Sequence, residues 1–98
     1  MEFEWDDAKA EANLQKHQVS FAEAATAFAD PLAAIFSDSD HSDDEIREIL
    51  VGHSERDQLL LVNFTERDRH IRLISARTAN PSERLNHEEN PMGGRDHE

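Results

Sequence analysis

Cysteine and tyrosine are absent from this 98-residue chain, and glycine and proline occur only three times each. Without cysteine there is no disulfide framework, no thiolate metal site and no cysteine nucleophile. With so few glycines the chain holds neither a G-x-G-x-x-G fingerprint nor a phosphate-cradling P-loop. Long apolar runs are missing too. Runs such as Leu32–Phe36 and Leu59–Val62 fall far short of a bilayer span, and the N-terminus lacks the basic-then-apolar pattern of a secretory signal. A cytoplasmic protein without membrane contact is the expectation. Leu, Ile, Val and Phe total 21 residues, all but Leu85 between Phe3 and Ile74. That share sits just above the ~20% at which highly charged chains stay disordered. One small domain over residues 1–90 is expected, with 91–98 as a disordered tail.

Positive charge is also scarce: ten Lys and Arg against 22 Asp and Glu give a net charge of −12. Phosphate binding is driven mainly by cations, so this balance argues against nucleic acid as a partner. The distribution qualifies that argument. Residues 1–50 hold 3 basic and 13 acidic groups, and residues 51–98 hold 7 and 9. Arg67, Arg69, Arg72 and Arg77 fall within eleven positions. An acidic chain can therefore still present one cationic patch.

Local signals order the elements. Phe3-Glu4-Trp5 alternates with period two, and Asp6-Asp7 supplies cap chemistry for a helix over about 7–17. Ser20-Phe21-Ala22-Glu23 reads as a capping box opening a helix to about Ala29, with Phe21, Ala24, Ala25 and Phe28 on its buried side. Leu32–Phe36, Ile46–Val51, Gln58–Phe64 and His70–Ala76 read as strands, Gln58–Phe64 being the most apolar and so central. Ser37–Glu45, with five carboxylates, reads as an exposed turn or loop. Asn80-Pro81-Ser82-Glu83 starts a short final helix. The expected fold is α+β: two N-terminal helices, a three- to four-stranded antiparallel sheet and one C-terminal helix.

Few residues dictate chemistry by spacing. Lys9, Asn13, Lys16 and His17 recur at three- and four-residue intervals, which is either a solvated stripe or an anion-facing helix edge. Arg72 sits in a strand with apolar residues on both parities, so it needs an ion-pair partner or a ligand. Arg77, at the strand end, lies where a phosphate could reach its guanidinium fork. Glu66 and His70 nearby are the group types used in general acid–base catalysis. His41 with Asp38, Asp40 and Asp43 fits neither a zinc-protease motif nor an EF-hand loop, and reads as a solvated acidic loop. No metal and no cofactor is expected.

Taken together, these residues resemble a known family. Phe3-Glu4-Trp5-Asp6, Lys9, Asn13, Lys16-His17-Gln18-Val19-Ser20-Phe21, Glu23-Ala24 and Phe28-Ala29-Asp30-Pro31 are similar to the opening of the BrnT toxins. Thr65-Glu66-Arg67, Ile71-Arg72-Leu73-Ile74-Ser75-Ala76-Arg77 and Glu83-Arg84 resemble its later blocks, so the likeness spans about residues 3–88. It implies a RelE-like fold and a ribonuclease toxin of a type II toxin–antitoxin pair. Such a toxin cleaves RNA without metal, inhibits translation and is neutralised by a BrnA-type antitoxin. Arg72 and Arg77 then become the groups for phosphate and transition-state stabilisation. His17, Glu66 and His87 become candidates for proton transfer, and Lys9, Lys16 and Arg67 for RNA binding. RNA is the implied substrate, the ribosome a candidate partner, and operator DNA is reached only through the antitoxin.

Two positions depart from the family pattern. Gln18 stands where a glycine is usual, which predicts either a backbone outside the left-handed region or strain there. His87 takes the place of a tyrosine in a final helix poorer in cations. The alternative function is therefore a catalytically weak partner-binding protein, acting as a co-repressor or interaction module within its antitoxin complex. A third reading is an acidic domain that binds basic proteins.

Overall fold

A computed structural model describes the backbone of residues 2–38 and 46–89, with side chains through Leu85. The elements run β1 (Glu2–Glu4), α1 (Asp7–His17), α2 (Phe21–Thr26) continued by a 3-10 turn (Ala27–Ala29), β2 (Ala34–Ser37), β3 (Arg47–His53), β4 (Leu59–Arg67), β5 (His70–Thr78) and α3 (Pro81–Glu89). The α+β class and the placement of the helices agree with the sequence reading. The sheet differs from it. Among the described residues it has five strands in the order β1-β5-β4-β3-β2, not three to four. It is mixed rather than antiparallel, because β1 runs parallel to β5 with Glu2 opposite His70 and Glu4 opposite Arg72. A three-residue strand carries little periodicity of its own. Its partner lies 68 positions along the chain, as in the Glu4–Arg72 contact, and no local signal reports such a pairing. The acidic segment 39–45 and the expected tail 91–98 lie outside the described residues.

Capping chemistry places the helices. The Asp6 carboxylate accepts from the amides of Ala8 (2.8 Å) and Lys9 (3.1 Å), opening α1. The Ser20 hydroxyl accepts from the Glu23 amide at 3.0 Å, opening α2. The Glu23 carboxylate, buried, instead reaches across to accept from the Ser54 hydroxyl at 2.7 Å. Only at α3 do both bonds of the box form, each 2.8 Å, between Asn80 and Glu83. Gln18 closes α1 in the left-handed region at φ 58°, its amide donating to Leu14 at 2.9 Å. The strained outcome is thus the one adopted.

The helices α1 and α2 cover one face of the sheet. Val19, Phe21, Ala24 and Ala27 pack against Leu50, Leu60, Val62, Phe64, Ile71, Leu73 and Ala76. Phe28 bridges Phe3 and Phe64 edge-to-face, with centroids 5.1 and 5.0 Å away. A β-bulge explains the two apolar parities of β5: Asn63 opposes Ser75 while Phe64 opposes Leu73, so Ile74 is the extra residue. The bulge lets both Leu73 and Ala76 enter the core. It also leaves His70, Arg72, Ser75 and Arg77 together on the other face. Beyond β1, the exposed edge of β5 is taken up by a side chain. Asn13 accepts from the Ala76 amide at 3.0 Å and donates to the Ala76 and Val19 carbonyls at 2.9 Å each. It bonds Ala76 as the backbone of a neighbouring strand would.

Candidate functional site

Alternation along each strand assigns a side to every residue of the sheet. The face turned away from α1 and α2 carries its side chains in rows set by the pairing register. One row is Glu2, His70 and Arg67; the next is Glu4, Arg72, Thr65 and Arg47. Neighbours within such a row stand about 5 Å apart at Cβ. Arg47, Arg67 and Arg72 therefore gather on this face across β3, β4 and β5, with His70 beside them and Glu2 and Glu4 at the β1 edge. Thr65 lies between Arg72 and Arg47, buried, its hydroxyl donating to the Ile46 carbonyl at 2.7 Å. A polar row follows, in which Ser75 donates to Asn63 at 3.3 Å and Asn63 donates to Asp38 at 3.0 Å. Beyond it Arg77 shares a row with Leu61, Val51 and Ala34.

The two arginines singled out by the sequence differ in their surroundings. Arg72 Nη1 lies 3.3 Å from Glu4 Oε2, with the side chains 37% and 42% exposed. A pair this open to water is held by roughly 0–1 kcal/mol, so an incoming phosphate can displace the carboxylate. His70 Nε2 lies 2.9 Å from Glu2 Oε1, also at the surface. Arg77 is gripped more firmly. Its Nη1 and Nη2 donate to Glu83 Oε1 and Oε2 at 3.0 and 2.9 Å, and Nη1 also donates to the Thr78 carbonyl at 3.2 Å. The paired hydrogen bond to Glu83 raises the Arg77 pKa against partial burial. The same bond, helped by the Asn80 amide, lowers that of Glu83. With Arg72 opposite Thr65 and Arg77 opposite Leu61 across the bulge, four residues of strand put them about 13 Å apart. They do not grip one phosphate together.

The remaining candidates are spread out. Arg67 stands on the same face beside His70. Glu66 opposes Ile71 and so projects on the helix side, away from Arg72. Lys9 and Lys16 are exposed on α1 and His17 is half-buried at its end, while Asn13, from the same stripe, is buried against β5. Among the described residues the side chains of Lys9, Lys16 and His17 make no hydrogen bond or ion pair. The backbone of His87 belongs to α3, but its side chain lies outside the described residues. Arg47 and Thr65 escaped the sequence reading because only the β3–β4–β5 register brings them beside Arg72. Among the described residues no three His, Asp or Glu side chains converge as metal ligands, and no helix is long and apolar enough to cross a membrane.

Comparison with known proteins follows the same lines. A family model described as "Ribonuclease toxin, BrnT, of type II toxin-antitoxin system" matches residues 5–83. Among solved structures, the chain is similar to the 1.1 Å crystal structure of the Brucella abortus ribonuclease toxin BrnT. The TM-score is 0.63 at 23% identity, covering 82% of this chain and 97% of that one. At that identity the likeness is one of fold. No curated protein matches.

Proposed function

This chain belongs to the BrnT family of ribonuclease toxins of type II toxin–antitoxin systems, and from that premise we propose that it cleaves RNA on the outer face of its sheet, with Arg72 at the centre. The reaction is metal-independent transesterification. The ribose 2′-oxygen attacks the neighbouring phosphorus, its proton passes to a base, and the 5′-oxygen leaves with a proton from an acid. A 2′,3′-cyclic phosphate and a free 5′-hydroxyl result. Negative charge builds on the non-bridging oxygens, where a guanidinium fork stabilises it most. Arg72 has the place for this role and Arg47 and Arg67 flank it. His70, held by Glu2, is the imidazole on the same face and serves proton transfer. His17, Glu66 and His87 stay candidates from the family likeness, with Glu66 the least suited because it projects on the helix side. Lys9 and Lys16 extend the track for the RNA strand. Arg77 serves a second phosphate once Glu83 lets go.

The observation that carries this reading is the row Glu4–Arg72–Thr65–Arg47 beside the row Glu2–His70–Arg67. It concentrates cations on one face of a chain with net charge −12. In the cell such cleavage inhibits translation, at the ribosome or on free RNA. A BrnA-type antitoxin holds the protein inactive and links it to operator DNA, all within the cytoplasm. A second reading has one observation in its favour: both forks, Arg72 and Arg77, already hold carboxylates. In that reading the chain acts by binding its antitoxin and cleaves little.

The test is cleavage of purified RNA by the isolated chain in chelator. Arg72→Ala is expected to lower the rate by about 10²-fold or more, the size of losing one charge-stabilising donor. Trp5, packed edge-to-face on Phe21 at 5.9 Å, reports by fluorescence that the variant is folded. A folded Arg72→Ala protein that cuts at the original rate rejects the assignment. No cleavage by the unaltered chain, on purified RNA and in the presence of ribosomes alike, favours the second reading.

A further inference from the structure

Two strand residues beyond the row of Arg72, Thr65 and Arg47, about 7 Å along, the outer face of the sheet changes character. The row there runs from Ser75 on β5 through Asn63 on β4 to Ile49 on β3 and Phe36 on β2. It is polar at one end and apolar at the other. Ile49 is half-buried and Phe36 stands 42% exposed, with Leu61 and Val51 half-buried in the row behind. Asn63 is held from both sides. The Ser75 hydroxyl donates to its Oδ1 at 3.3 Å, and its Nδ2 donates to Asp38 Oδ2 at 3.0 Å. An ionised carboxylate only accepts, so the amino end must face Asp38 and the amide cannot flip. Among the described residues the Asn63 side chain makes no other hydrogen bond. A carboxamide has two N–H donors and two acceptor lone pairs, so one of each is left for a ligand.

A nucleotide is divided in the same way, into a charged phosphate and a flat base with apolar faces and a polar edge. The apolar end of the row alone would suit many ligands, but its continuity with Arg72 and Arg47, one row away, selects a nucleotide. We propose, on the reading of this face as the RNA-cleaving surface, that the row recognises one base beside the phosphate held by Arg72, and that the base is adenine. Its ring lies over Ile49 and against Phe36, and its edge meets the Asn63 amide. Of the four bases only adenine sets a donor, its N6 amine, beside an acceptor, N7, on the edge that base pairing leaves open, and a carboxamide meets both at once. Its pairing edge repeats the pattern with N1, whereas the other bases offer such a pair on the pairing edge alone. Phosphate contacts carry no sequence information. Arg72 and Arg47 thus hold any strand, and Asn63 determines which one is preferred.

The test is binding, measured apart from cleavage. Hexanucleotides with 2′-deoxy sugars, uracil throughout or with adenine, guanine or cytosine at one central position, are titrated into the full chain and followed by fluorescence anisotropy. The adenine sequence should bind about tenfold more tightly than the other three, the size of one paired base contact. Purine in place of adenine lacks only the N6 amine and should lose that margin with the protein unaltered. Asn63→Ala should bring the adenine sequence to the level of the uracil one and leave the uracil one unchanged. Phe36→Ala should weaken all four by about tenfold, because stacking is indifferent to sequence. In NMR spectra the Asn63 side-chain amide signals should move with the adenine sequence and not with the uracil one. Equal binding of the four, or preference for another base, overturns the proposal and leaves the RNA-binding face standing. So does a preference for adenine that survives in purine or in folded Asn63→Ala; should that variant not fold, purine decides alone. No binding of any of the four at millimolar concentration overturns the proposal and the RNA reading together.

Discussion

Gln18 holds a backbone conformation that suits glycine. At φ 58° its Cβ crowds the following carbonyl oxygen, at a cost of roughly 1–2 kcal/mol for an L-residue. Its side chain returns part of this by donating to the Gln15 carbonyl at 3.0 Å. Gln18→Gly removes both the crowding and that bond, so the expected outcome is a net gain of about 0.5–1 kcal/mol in urea unfolding and a Tm several degrees higher. The sequence had reduced this position to two outcomes without choosing between them. The choice was made by the chain on either side, because α1 must turn sharply to bring Val19 and Phe21 into the core. Asn13 was legible only as a polar member of a lysine stripe. Its real partners, Val19 and Ala76, include one 63 positions away, and nothing in helical spacing points there.

At the scale of elements, α3 is joined to the sheet through Arg77 and Glu83, with Leu85 exposed. The Arg77 hydrogen bonds hold the Glu83 carboxyl below its ordinary value of 4.5. A carboxylate with a lowered folded pKa stabilises the fold in full above its unfolded value, and that contribution is lost as pH falls through the folded one. Arg77 stays charged throughout, so the window belongs to Glu83. Acidification below about pH 4.5 is expected to release the amides near the start of α3 to hydrogen exchange before those of β4 and β5. Glu83→Gln should remove this step from the exchange profile. Asp30 acts in the same direction on the core. Burial opposes its ionisation, but the His53 and Leu32 amides and the His53 ring outweigh that and lower its pKa. The element starts at Asp6, Ser20 and Asn80 were readable because capping is local chemistry. β1 was not, because its pairing is remote.

For the whole molecule the main feature is a division of charge. The acidic excess belongs to the first fifty residues, while the arginines of β4 and β5 gather on one face of the sheet. On RNA bound as proposed, long-range repulsion and local attraction act together. With Arg47, Arg67 and Arg72 each neutralising a phosphate, log affinity should fall with log salt at a slope of about −2 for single strands. Losing Arg67 to alanine should flatten it by about 0.7. Filter binding of a 2′-deoxy-substituted RNA, which cannot be cleaved, measures both. A slope near zero would remove the patch from RNA recognition. The face itself was only partly readable in the sequence. Arg67, Arg72 and Arg77 were visible as a cluster, but the bulge at Ile74, which sets Arg72 and Arg77 on one side, was not.

The pairing of β1 with β5 also has a consequence in time. Glu2 and Glu4 leave the ribosome 68 positions ahead of their partners His70 and Arg72. Helices and the β3–β4 hairpin have their contacts at hand as the chain emerges, but this edge cannot close until most of the domain has been translated. The surface proposed to handle RNA is therefore assembled late in synthesis, and the nascent chain lacks it until β5 has formed.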